Sequence, residues 1–348
     1  MRKHARGPIT AGAIVAVGLA LTANFFAGDI AARAAGPPTL AGCPMFPANN
    51  IWNARIDALP VHARSSQYIN SIGANTVLHA DFGTTYLNAP IGIPYTVVLG
   101  TQPLVTITFD LYPWSAGESD PGPYPIPPGA PIEGGNDPGN DGDRHVLVLD
   151  RAHCKLYEVW KAYPQPDGSW RGGSGAVFDL NSNALRPDGW TSADAAGLPI
   201  LPGLVRRDEM LSGEINHAIR FTALRTQRAY IWPARHFAST ITDPGVPPMG
   251  QRFRLKASVP ISQYHPHVQV IFTAFKRFGL ILADNGSNWY VSGAHDMLWD
   301  DEMLSAAFRS LRGSDFEAVD VSSLMVDPNS GQARPPFTHW TRMPIVRR

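Results

Sequence analysis

The sequence predicts a β-rich α+β fold: one globular unit of sandwich-like or jelly-roll-like sheets with about four helices at its margins. Three observations carry this expectation. Short runs alternate apolar and polar residues at the two-residue period of half-buried strands. Few segments show helical periodicity. Finally, 32 Pro and 32 Gly in 348 residues interrupt the chain too often for long helices to dominate.

The chain opens on a leader. Arg2, Lys3 and Arg6 precede an apolar run over 9–26, and Ala32-Arg33-Ala34 offers a small-residue cleavage site. This is the pattern of a secretory signal over 1–35 rather than of a permanent anchor. The globular domain is then expected over 36–348, with a Pro-rich tail beyond Leu324 wrapping the surface. Residues 65–72 suit a short helix stopped by Gly73. Residues 95–100 and 105–109 read as two neighbouring strands. The Pro- and Gly-dense stretch 120–143 reads as a long surface loop in preference to an interdomain linker. Residues 145–150 and 155–160 form a strand pair, followed by a strand over 175–180. Thr191 and Asp194 have the spacing of a capping box and predict a short helix closed by Gly197. Another helical turn or two covers 205–211, ended by Gly213. Strands over 214–222 and 228–232 are expected to pair, and 252–258 alternates as a half-exposed strand. The clearest helix covers 266–278, with Val268, Ile271, Phe272 and Phe275 on one face and Gly279 at its end. Residues 280–283 form a buried strand that delivers Asp284-Asn285-Gly286 to a turn, from which 289–292 returns. Asp296 or Asp300 caps a last helix through about Leu311.

Lys and Arg total 29, as do Asp and Glu, and the leader holds a net of +3, so the remainder stands at about −3. Cations are scattered singly, without the stripe that phosphate backbones require, so nucleic acid is not an expected partner. No integral membrane segment is expected after cleavage. The two cysteines, Cys43 and Cys154, are read as one disulfide of an exported protein. Neither sits in a motif that would lower a thiol pKa.

Chemically capable side chains concentrate in 190–236 and in the loop after Ala283. Glu214 follows a helix stop where a loop feeds a strand, a setting suited to a catalytic carboxylate, with an ion pair to Arg220 or Arg235 as the alternative. Asp284 is delivered by a buried strand, although Asn285-Gly286 is also the signature of a simple hairpin turn. Together they would make an acid/base pair for glycosidic bonds. His217, flanked by Ile and Phe, is either a core imidazole or a proton shuttle, and His236 is a second shuttle or a substrate contact. Arg235 and Asn285 are candidate positioning groups, and Trp190, Trp232, Trp289 and Tyr290 are candidate sugar platforms.

Metal patterns are weaker. His265-Pro266-His267 reads as a helix cap, and no spacing supports a zinc site drawn from His145, His217 and His236. Asp137, Asp141 and Asp143 form a candidate calcium loop without EF-hand spacing, so no cofactor is expected beyond a weak case for structural calcium. There is no G-x-S-x-G and no phosphate-cradling motif.

In Pro131-Ile132-Glu133-Gly134-Gly135, Asp143-Arg144-His145-Val146, and the segments 176–180, 191–202, 214–222, 283–286 and 313–317, the chain resembles a family of uncharacterised exported bacterial proteins. The resemblance spans nearly the whole mature chain and brings no activity with it. The residues themselves predict a secreted carbohydrate-active enzyme that cleaves a polysaccharide or oligosaccharide by acid/base chemistry, as hydrolase or lyase, with an extracellular glycan as partner. A non-catalytic glycan-binding protein is the alternative, and a metal-dependent hydrolase or peptidase the third reading.

Overall fold

The computed structural model describes residues 36–137, 139 and 141–334. The signal reading over 1–35 and the end of the tail, 335–348, therefore lie outside the described residues. Two main sheets carry the fold. The larger has six strands in the order Phe316–Val319, Arg252–Leu255, Leu280–Asn285, Ile219–Ala223, Tyr290–Ser292 and His79–Asp81. Its two central strands, Leu280–Asn285 and Ile219–Ala223, run parallel, and a register shift at Phe221/Thr222 bends the pairing. The smaller has four strands, in the order Ser174–Asp179, Lys155–Trp160, Val146–Asp150 and Tyr95–Val98.

Aromatic side chains fill the larger core. Trp289 stacks on Phe221 with ring centroids 5.4 Å apart, and Phe275 and Phe308, from the helices Pro266–Arg277 and Asp301–Arg309, meet edge to face at 5.8 Å. Such pairs add to the area that they bury. The described residues form one β-rich α+β unit with four α-helices, and none of these is long and apolar enough to cross a membrane.

Several local expectations hold. Ser65–Ile72 is helical, Arg207–Ser212 ends at Gly213 in the left-handed region, and Asp300 caps the last helix through the Met303 amide. His265 caps the helix that follows it. The expectations that fail are mostly about pairing. Tyr95–Val98 pairs with Val146–Asp150, whereas Ile107–Phe109 pairs with Trp170–Gly172, so the two are not neighbours. Leu280–Asn285 and Tyr290–Ser292 are separated by Ile219–Ala223 and form no hairpin. Residues 228–232 contribute one bridge, Tyr230 to Met249, and no strand. The stretch 120–143 is not merely surface: Tyr124, Ile126 and Ile132 belong to a second core with Val146, Val148 and Val159.

Cys43 and Cys154 form the expected disulfide, with Cα atoms 5.3 Å apart at a sequence separation of 111. Closing a loop of that length restricts the unfolded chain most, so the Cys43→Ser/Cys154→Ser variant is expected to lose roughly 4 to 5 kcal/mol in urea unfolding. A loss below about 1 kcal/mol would show that the link constrains little.

Candidate functional site

Arg220 lies on a strand whose five residues are all buried. A guanidinium taken out of water needs paired acceptors, and several residues supply them. Asp194 accepts through both oxygens at 2.7 and 2.8 Å, Asp284 Oδ2 accepts at 3.2 Å, and Ser292 Oγ on the neighbouring strand also accepts. The segment bearing Asp194 is not the predicted helix. Its backbone turns back on itself: the Asp194 amide donates to Ser192 Oγ at 2.9 Å, and Thr191 Oγ1 and the Gly197 amide both donate to the Asp194 carbonyl. Gly197 has φ +70°, and a Cβ there would stand 2.5 Å from the Trp190 carbonyl oxygen, so only glycine closes this turn. The apparent capping box was turn chemistry of the same residue types.

Asp284 sits near the end of the central strand Leu280–Asn285 and keeps a fifth of its side-chain surface open. Burial, followed by the Asp194 charge beside it, raises its carboxyl well above the usual range against the pull of Arg220. One guanidinium cannot neutralise two carboxylates, and its two-pronged contact belongs to Asp194. Asp284 is therefore the carboxyl that these surroundings push towards its protonated form.

The facing wall comes from the smaller sheet and the loop before it. Asp143 accepts from the Trp160 indole at 3.1 Å. The protein around it would raise its carboxyl, but His145, this hydrogen bond, Arg220 and Lys161 outweigh that and hold it below the usual range. His145, 1 % exposed, has Nδ1 2.5 Å from Glu133 Oε2 and donates from Nε2 to the Ala193 carbonyl at 3.0 Å. Burial opposes its charge, yet Glu133 and Asp143 raise it to about 9. Asp81 stands at the edge of the larger sheet with much of its surface open. Crowding by protein and repulsion from Glu133 and Asp143 nonetheless push it up to about 6.

Tyr112, Trp114 and Trp160 stack at the rim, with centroids 5.4, 5.3 and 6.2 Å apart pairwise. Trp114 is 40 % exposed, which a core aromatic would not be. Glu118 accepts from the Thr191 amide, and its Oε2 lies 3.8 Å from His236 Nε2, while His236 Nδ1 donates to the Ala195 carbonyl at 2.8 Å. Trp114, Glu118, Asp143, Trp160, Asp194, His236, Asp284 and Asn285 all line one cavity of about 500 Å³.

Of the residues expected from sequence, Asp284, Asn285 and His236 meet here. Glu214 does not. It is exposed, accepts from Asn216 at 2.8 Å, and lines a different hollow with Gln269 and Arg277, so the expected Glu214–Asp284 pair is not formed. His217 is fully buried and bonded to Glu209 at 3.0 Å and to the Ala218 carbonyl, which makes it part of the core. Trp289 is also fully buried, its indole donating to the Gly73 carbonyl, and cannot act as a sugar platform. Trp190 lies beneath the Arg186 guanidinium, and Trp232 donates to the Ser330 carbonyl. Arg235 is 5 % exposed and ties Arg186, Pro328 and Asn329 together. Tyr290 stacks on His79 at 4.2 Å. None of these four lines the cavity.

The sequence reading missed Asp143 as a site carboxylate, along with Glu118, Asp194, Trp114 and Trp160. From the sequence, Asp143 reads as part of a calcium loop. In the structure Asp137 caps the Gly139 amide, Asp141 pairs with Lys161, and Asp143 turns to the cavity, so the three do not converge. The Asp143-Arg144-His145 run, which sets two chemically capable side chains at the start of a strand, is the signal in the sequence. Glu133, Asp143 and His145 do place one ligand atom each within 4.8 Å of one another. Both ring nitrogens of His145 are engaged, however, and a cation would require the proton between His145 and Glu133 to leave.

Fold and site together define an α+β protein in which two sheets wall an acidic cavity with an aromatic rim. No family model matches the chain, nor does any curated protein or solved structure.

Proposed function

We propose that this protein is an exported enzyme that hydrolyses glycosidic bonds in a polysaccharide or oligosaccharide, with Asp284 as general acid and Asp143 as the ionised base or nucleophile. The observation that carries the reading is that these two carboxyls line one cavity and are shifted in opposite directions, Asp284 raised well above the usual carboxylate range and Asp143 held below it. That division is what acid and base roles at one bond require. Trp114, Trp160 and Tyr112 offer flat apolar faces for sugar rings, and Glu118, His236 and Asn285 offer hydrogen bonds to hydroxyls. Export is supported by the leader pattern and by a disulfide, which persists in oxidising compartments.

Purified protein incubated with a panel of polysaccharides is expected to release reducing ends from at least one. Trp114→Ala should raise KM for that glycan about tenfold or more, with a smaller change in kcat. Binding without product across the panel would favour a non-catalytic glycan-binding protein. Activity abolished by EDTA and restored by a divalent metal would instead favour hydrolysis through Glu133, Asp143 and His145.

A further inference from the structure

The charge of the cavity bears on which glycan it takes, an inference that rests on the glycosidase reading above. Glu118, Asp143, Asp194 and Asp284 line it; Asp194 is paired with Arg220 and Asp284 shares that guanidinium, so the negative charge left over sits on Asp143 and Glu118. Among the described residues, the cations beside these carboxyls are already engaged. Arg220 is bound to Asp194 and Asp284, His145 to Glu133, and Lys161 to Asp141. Among the described residues, His236 is the single basic side chain on the lining, and it faces Glu118.

A uronate or sulfated sugar would therefore enter against surplus negative charge, with no unpaired guanidinium or ammonium among the described residues of the lining to meet it. A neutral sugar would leave that surplus unanswered. A protonated amine would gain from Asp143 and Glu118 in a partly dehydrated setting, where charge interactions exceed their strength in water. The rim adds to this, because Trp and Tyr faces attract cations. Lys161 illustrates the effect, its ammonium lying 5.9 Å from the Trp160 ring centroid.

We propose that the cavity recognises a glycan bearing free amino groups, a polymer or oligomer of non-acetylated hexosamine, through Asp143, Glu118 and the Trp114–Trp160 rim. The same charge pattern disfavours elimination on uronates, since a lyase needs a cation opposite the substrate carboxylate.

The test titrates the intact, disulfide-bonded protein by tryptophan fluorescence and calorimetry in mildly acidic buffer containing EDTA. The probes are hexamers of β-linked glucosamine, of N-acetylglucosamine and of galacturonic acid. The glucosamine hexamer is expected to bind at least about tenfold more tightly than the acetylated one and the uronate hexamer not measurably, and Glu118→Gln should shrink the difference. Equal affinity for the two hexosamine hexamers, or preference for the uronate, would overturn the inference while leaving a glycosidase intact. If no hexamer binds and the polysaccharide panel also yields no product, the glycan reading fails and this inference with it. If a neutral polysaccharide is cleaved while the glucosamine hexamer is ignored, only the amine preference falls. Discovery that the protein as purified holds a stoichiometric divalent ion would also overturn it, because the surplus charge would then serve the metal.

Discussion

Asp284→Asn is expected to lower kcat on the glycan identified by the panel by about 10² to 10⁴-fold, the range that a positioned proton donor supplies. The amide keeps the shape of the protonated carboxyl and can still meet Arg220, so melting temperature and circular dichroism should stay close to the parent. The pH profile follows from the two opposite shifts. Asp284 is the working acid below its raised pKa, and activity falls as pH climbs through it. Asp143 must be ionised, so activity falls on the acid side only below the usual carboxylate range. The result is a broad bell whose alkaline limb belongs to Asp284. Loss of less than about tenfold in the Asn variant would remove Asp284 from the chemistry.

Arg220→Met is expected to cost about 3 to 5 kcal/mol in urea unfolding, the penalty for leaving Asp194 buried and charged without its partner. Asp194 is 1 % exposed and Arg220 4 %, so water cannot take the place of the lost contact. Arg220→Lys should be intermediate, because one ammonium cannot hold both oxygens of Asp194 while reaching Asp284 and Ser292. The double variant Arg220→Met/Asp194→Asn should recover part of the loss, since removing both partners leaves no orphaned charge. If the double variant were as unstable as the sum of the singles, the ion pair would not be the source of the cost. A wild-type-like Arg220→Met protein would show that the network contributes little to folding.

These expectations depend on groups that were unevenly legible in the chain. The helix Pro266–Arg277 was readable because four apolar residues repeat at its period and Gly279 stops it. Val146–Asp150 and Lys155–Trp160 were readable because a short turn joins them and forces antiparallel pairing. Pairing across distance was not. Ile107–Phe109 alternates as cleanly as any strand, yet nothing in its own residues names Trp170–Gly172 as its neighbour. The capping-box spacing at Thr191 and Asp194 misled for a related reason: Ser, Thr and Asp satisfy backbone groups in turns as readily as at helix starts, and the buried Arg220 draws the Asp194 side chain into an ion pair.

The site divides in the same way. That Asp284 would be delivered by a buried strand could be read from Leu280-Ile281-Leu282-Ala283, because apolar runs and turn residues act locally. The disulfide followed from there being two cysteines and no third. Which carboxylate faces Asp284 was decided only in three dimensions. Glu214, six residues before Arg220, ends in a separate hollow, whereas Asp143, more than a hundred residues from Asp284, shares its cavity. The reason is physical. Periodicity and capping report the interactions of a residue with its chain neighbours, whereas burial, shared protons and the field of a guanidinium depend on through-space distance, which a sheet with crossovers rearranges without regard to chain order.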